Sequence, residues 1–337
     1  MLPVKSNNKG RLAKSISLAT LIILLVLVPS IVGQDPYILH IFIMLGINVI
    51  LTLSLWLVLT TGQFTLGHAG FMAIGAYASV LLVMRAGLSF WLALPIAGVM
   101  SAIIAVMIGY PILRIKGLYF ALVTFCFSQV VVLVISNWSF LGGAIGIFDI
   151  PHPNRIRLLG VTVDFLSKVP YYYLILVMVF IAVLVMTRLH VSRFGRIFTS
   201  IAENDSLAES IGINITRHKV LAFAIGCFLA GLGGSIYAHY FSYLDPGMFG
   251  VWKSIELVLA VVIGGVISPV GPVIGAAFLT VLSEILRGTE EFGPLLLAIV
   301  LFVVVFTLPR GLSSLPEQVR AWIVQFSKKR SEHHGIT

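Results

Sequence analysis

Long apolar runs alternate with short polar turns along nearly the whole chain, and a single longer polar interval breaks the rhythm with a different period. The runs fall near 16–33, 38–60, 64–84, 90–112, 118–137, 171–187, 220–243, 254–268, 272–287 and 294–308. Most are Leu, Ile and Val without a polar face, as in helices solvated by lipid rather than water. A span needs about 20 apolar residues, and fewer where a broken segment packs inside protein. The pattern predicts an all-α, polytopic integral membrane protein of about ten transmembrane helices.

Two runs are interrupted by glycine, proline and polar groups. One interruption is Gly62-Gln63-Phe64-Thr65-Leu66-Gly67-His68-Ala69-Gly70, and the other runs from Gly264 to Gly275 through Ser268, Pro269, Gly271 and Pro272. They lie at comparable places if spans 2–5 and 7–10 form an inverted repeat, although no residue identity between the halves supports one. Unwound backbone in a bilayer is tolerated where protein or a watery cavity satisfies it, and paired interruptions point to a binding site in secondary transporters. Gln63, Thr65 and His68 can exchange hydrogen bonds with a polar solute, while Gly67 and Gly70 admit close backbone approach. Small residues of this kind equally let helices touch, as do Gly271 with Gly275, and Gly226 with Ala230 and Gly234.

The polar interval covers 188–219. Phe198, Ile201, Ala208 and Ile211 recur there at helical spacing, with Glu203, Asp205 and Glu209 on other faces and Gly212 as a stop. The expectation is one short amphipathic helix between two spans, serving either as a lever for a partner or as an ordinary interfacial helix.

Charge sets the orientation. With a cytoplasmic N-terminus, 16 of the 22 Lys and Arg residues fall inside, leaving Arg85, Arg155, Arg157, Lys168, Lys253 and Arg287 outside. Cytoplasmic loops retain Lys and Arg, so both termini are expected inside, and the net charge of +9 is a topology signal that needs no nucleic-acid partner. The organisation expected is a basic N-terminus 1–15, one transmembrane domain 16–309 with an external loop 138–170 and the internal loop 188–219, and a basic tail 310–337. That tail can form a surface helix through Leu315, Val319, Trp322 and Phe326. The first run also resembles a signal peptide, but 29–33 lacks the small residue that cleavage needs, so it is expected to stay as an anchor. Cys126 and Cys227 both sit in apolar runs, which argues against a disulfide framework.

Ionisable residues within spans are few. Glu256 begins the eighth, Glu284 lies near the outer end of the ninth, and His40 and His239 lie near ends. Glu256 and Glu284 can line a path or snorkel toward the interface. No Asp/Glu pair of the kind a proton-driven pump needs stands at a span centre. No G-x-x-x-x-G-K-[ST] phosphate loop occurs, nor a nucleophile–base or metal-ligand constellation, so neither catalytic nor metal residues are assigned.

An ordered set of motifs resembles the permease subunits of branched-chain amino-acid ABC importers, of the LivM-like type. It runs over roughly 40–315, through Gly62 to Phe71, Ile74-Gly75-Ala76-Tyr77, Arg114 to Ala121, Gly195-Arg196 and Ala202 to Ile213. It continues through Leu221-Ala222-Phe223, Ala230 to Gly234, Ser254-Ile255-Glu256, Gly264-Gly265, Gly271 to Ala276 and Pro309-Arg310-Gly311-Leu312. The resemblance implies an inner-membrane subunit paired with a homologous permease, two ATPase subunits and an external solute-binding protein. It implies that ATP and Mg are bound by the ATPase partners, with no cofactor on this chain and no enzymatic step of its own. It assigns Arg196, Glu203, Asn204, Asp205, Glu209 and Gly212 to ATPase coupling, and Gln63, Thr65, Gly67, His68, Gly70, Tyr77 and Glu256 to the solute path. Where family members commonly carry a Thr-Gly-Gly-Ser-like stretch, this chain reads Leu141-Gly142-Gly143-Ala144-Ile145-Gly146. Similar permeases carry urea and short amides, so that solute class stays open beside amino acids, as does an ion-coupled secondary transporter.

Overall fold

A computed structural model of the chain describes residues 20, 23–31, 33–115, 117–158, 161–288, 293–307 and 311–314. The N-terminus 1–15, the expected tail helix and parts of the first apolar run lie outside the described residues. Helical residues 23–31 belong to that run, and the Tyr173 hydroxyl donates to the Val26 carbonyl at 3.3 Å to dock them.

The first long helix, α1 (Pro36–Leu59), begins with proline, whose missing N–H has no helical partner at that position anyway. Asp35 caps it by accepting the Tyr37 N–H at 2.8 Å. Its 24 residues rise about 36 Å at ~1.5 Å each, more than the ~30 Å of a hydrocarbon core. There follow α2 (His68–Met84), α3 (Phe90–Ile112), α4 (Leu118–Asn137), α5 (Lys168–Val191), α6 (Arg193–Glu203), α7 (Asp205–Ser210), α8 (Ile215–Phe241), α9 (Val251–Gly264), α10 (Val270–Leu286) and α11 (Gly293–Thr307).

Six segments are long and apolar enough to cross a membrane: α1, α3, α4, α5, α8 and Pro246–Gly264, which ends in α9; α2 and α10 are shorter apolar helices. The chain is a helical, polytopic membrane protein. Among the described residues its one sheet is a hairpin of β1 (Ile156–Leu158) and β2 (Val161–Val163) in the external loop.

Helices α1 and α8 are buried along most of their length and form the centre of the bundle. Around them, α3, α4 and α5 turn Leu92, Ile103, Met107, Leu122, Val130 and Phe180 outward. In water such a belt would drive association. Against acyl chains it is a solvated surface, and close packing of small residues supplies the helix contacts instead. A methyl group on Gly226 would lie 2.7 Å from the Ser54 carbonyl, and one on Gly275 would overlap the Ala260 carbonyl. The small-residue seams expected in these two regions are therefore packing surfaces.

One end of the bundle is tied down by the loop 138–170. Ile147 and Leu244 exchange backbone hydrogen bonds of 2.8 and 3.0 Å. His239 Nδ1 reaches the Pro151 carbonyl at 2.7 Å, and a carbonyl only accepts, so Nδ1 carries the hydrogen. In the neutral ring Nε2 then accepts from the Ser79 hydroxyl at 3.1 Å. His239 is a satisfied structural histidine.

Candidate functional site

The first interruption is a joint between α1 and α2. Thr60 and Thr61 turn their hydroxyls back to the Leu57 and Val58 carbonyls at 2.6 and 2.7 Å, which lets the chain leave the helix without an unpaired donor. Gly62 then takes φ 74°, a left-handed conformation that favours glycine, and helix resumes at His68. Gln63, Thr65 and His68 are all buried. Thr65 Oγ1 accepts the Gly67 N–H at 3.2 Å, and Leu66 donates to Thr124 Oγ1 at 3.2 Å. Gly67 and Gly70 press on the backbone of α4 at Thr124 and Ser128. His68 Nε2 meets Ser54 Oγ at 2.7 Å, while its Nδ1 is buried without a partner among the described residues. Tyr77, also buried, stands beside Phe249 with its hydroxyl unpartnered among the described residues. The zone is thus closed and packed, with two buried polar atoms unengaged.

The loop 188–219 departs from the single helix expected. It folds as two, α6 and α7, because Asn204 takes an extended conformation and accepts the Leu207 N–H at 3.0 Å, starting a new helix. Ser192 caps α6 in the same way, accepting the Phe194 and Gly195 amides. Phe198, Ile201 and Ala208 are buried as the periodicity predicts, but Ile211 is not: it is 71% exposed, and Leu207 beside it 65%. Helix α7 is only six residues long, and the break at Asn204 turns its apolar positions away from the stripe of α6. Asp205 also differs from a free surface acid. It pairs with Lys219, 4% exposed, at 3.0 Å and so fastens α7 to α8. Glu203 and Glu209 are exposed, Arg196 reaches the Val191 carbonyl at 3.4 Å, and Gly212, at φ 86°, terminates α7.

A third cluster includes residues that sequence reasoning missed. Lys253 Nζ contacts Glu256 Oε2 and Asn48 Oδ1, each at 3.0 Å, and Asn48 Nδ2 donates to Thr280 Oγ1 at 3.0 Å. Asn48 is the thirteenth of the 24 residues of α1, about 18 Å from its start at ~1.5 Å per residue. Lys253, counted from sequence with the external charges, therefore reaches the middle of a span. The signal was the lone amide at Asn48 in an otherwise apolar run.

The family described as the branched-chain amino acid transport system permease component matches residues 37–308, which contain all three clusters. This chain belongs to that permease family. It is 32% identical over 292 residues to the high-affinity branched-chain amino acid transport system permease protein LivM of Salmonella typhimurium, covering 81% of this chain and 67% of the relative. The LivM protein of Escherichia coli gives the same identity and coverage. The LivH permease of Salmonella typhimurium is 23% identical over 269 residues, 76% of this chain and 87% of the relative. No solved structure matches. The permease is thus a multi-pass transport subunit and not an enzyme, and its candidate residues are to be read for what they bind and transmit.

Proposed function

We propose that the permease is the translocating subunit of an ATP-driven importer for branched-chain or related apolar amino acids in the inner membrane, with both termini cytoplasmic. Separate ATPase subunits bind ATP and Mg and dock on the exposed edge of α7, where Glu203, Leu207, Glu209 and Ile211 lie. Similarity to both LivM and LivH supports a pairing of two homologous permeases, with an external binding protein delivering solute. The observation that carries the reading is how the loop is fastened. Asp205 is ion-paired to Lys219 of α8, and Gly62 of the α1–α2 joint rests on Ala202 of α6. A push on α7 therefore reaches two spans and the joint holding Gln63, Thr65, Gly67, His68 and Gly70. Tyr77 and Glu256 continue the solute path from there.

The test is co-purification and uptake. Mild detergent extraction brings down an ATPase subunit and a second permease, and vesicles holding the whole assembly take up L-leucine on addition of ATP. Uphill uptake by this polypeptide alone, driven by an ion gradient, overturns the proposal. Uptake of urea in place of amino acids overturns the solute class only.

A further inference from the structure

Charge is scarce in this chain, yet Lys253 and Glu256 lie level with the midpoint of α1. An ionised side chain at that depth is costly against lipid and ordinarily faces a bundle interior or a watery cavity. Glu256 keeps 40% of its side-chain surface open and Lys253 15%, so the carboxylate fronts something other than the packed core. Lys253 holds Oε2, while Oε1 has no hydrogen-bond partner among the described residues. The crevice that Asn48, Thr52, Glu256 and Thr280 help to line has no void that would take a water molecule, so the cluster is closed on itself. Its floor is the α9–α10 seam, where Gly264, Gly271 and Gly275 bring two backbones together.

We propose that Lys253 and Glu256, assisted by Asn48 and Thr280, recognise the two charged ends of a zwitterionic amino acid as it crosses the permease; this rests on the amino-acid reading above. Empty, the two side chains neutralise each other. When α9 and α10 part from α1, the solute's carboxylate takes the Lys253 ammonium and the Asn48 amide. Its ammonium takes Glu256, beginning with the open Oε1. One ion pair is exchanged for two, and no bare charge is left in either state, which is the condition for burying charge without a large penalty. A solute bearing one charge would strand the other partner. An uncharged amide gains nothing from separating the pair.

The experiment uses the full chain assembled with its partner subunits in vesicles, labelled L-leucine as probe, and L-leucinamide, 4-methylpentanoate and 4-methylpentanamide as competitors. Wild type takes up leucine, and none of the three competes well. K253M and E256Q each lower leucine uptake about tenfold or more, the scale expected when one partner of a buried charge pair is truncated. The neutral double variant K253M/E256Q leaves no stranded charge, assembles, and loses its preference for leucine over 4-methylpentanamide. Leucine uptake by that variant at the wild-type rate with wild-type competition overturns the site while leaving the amino-acid reading intact. A wild-type assembly that moves no amino acid overturns both. Should the neutral variant fail to assemble, K253E/E256K decides: loss of leucine uptake with normal assembly supports recognition, and retained uptake assigns the pair a structural role only.

Discussion

Gly62 leaves no room for a side chain beside Ala202: a methyl group on Gly62 would lie 3.1 Å from the Ala202 Cα. The contact joins the turn after α1 to the last residues of α6, so the break in the first apolar hairpin and the polar loop meet in one place. Two consequences of substitution are separable there. G62A meets a left-handed backbone at φ 74°, worth about 1–2 kcal/mol against any residue with a Cβ, and it also crowds Ala202. A202G relieves the crowding but not the backbone strain. G62A is expected to lower the detergent melting temperature and uptake together, and G62A/A202G to recover uptake more than stability. Equal recovery of both would mean that the contact transmits nothing.

The Asp205–Lys219 pair is the second tie between loop and spans. Lys219 is 4% exposed and Asp205 18%, so this is a mostly buried ion pair. Removing one partner of such a pair costs about 3–5 kcal/mol because a charge is left uncompensated, whereas replacing both by apolar groups is far milder. D205N is therefore expected to loosen the loop, seen as faster proteolytic cleavage within 193–212, and D205L/K219M to restore protection. Protection unchanged in D205N would show that burial of Phe198 and Ile201 holds the loop unaided.

Leu207 and Ile211 are apolar, adjacent and exposed, on a loop that is otherwise polar. Exposed substitutions away from buried features usually stay within about 0.5 kcal/mol of neutral. L207D and I211D are expected to insert and melt like wild type, yet to lose co-purification of the ATPase and ATP-driven uptake. Full retention of the ATPase by both variants would move the docking surface elsewhere.

How much of this was legible in advance follows from what a hydropathy pattern records. Runs bounded by turn residues came out as expected: 90–112 and 118–137 are α3 and α4 to the residue, and 38–60 is α1 to within two. The run 171–187 extends to Lys168–Val191, because Lys168, Arg188 and His190 are polar yet continue the helix past the apolar core. The α6–α7 break was not legible, since Asn204 ends one helix and caps the next by a single side-chain hydrogen bond that no periodicity carries. Asp205 reads as a surface acid until α8 brings Lys219 to it. Lys253 reads as a boundary charge because only the fold places the start of α9 beside the middle of α1. Gly62 to Gly70, by contrast, was flagged correctly as irregular, its glycines and threonines being what a helix-to-helix joint requires.

Trp56 gathers these threads. Its indole Nε1 donates to the Val266 carbonyl at 2.7 Å, within the second interrupted zone, and its ring lies 5.5 Å from that of His190 at the end of α5. One side chain near the end of α1 therefore touches the α9–α10 turn and the entrance to the polar loop. The apolar body of the ring is buried and fixed by packing, so only the N–H distinguishes tryptophan from a plain hydrophobe here. W56F keeps most of the ring volume and strands the Val266 carbonyl, at a cost of about 1–3 kcal/mol for an unsatisfied buried group. If the two interrupted zones move together, W56F uncouples them: ATP hydrolysis by the assembly continues while L-leucine uptake falls several-fold. Measuring hydrolysis and uptake on the same vesicles distinguishes this from simple instability, which would lower both in proportion. An unchanged ratio of uptake to hydrolysis in W56F would leave the Trp56–Val266 bond a packing detail.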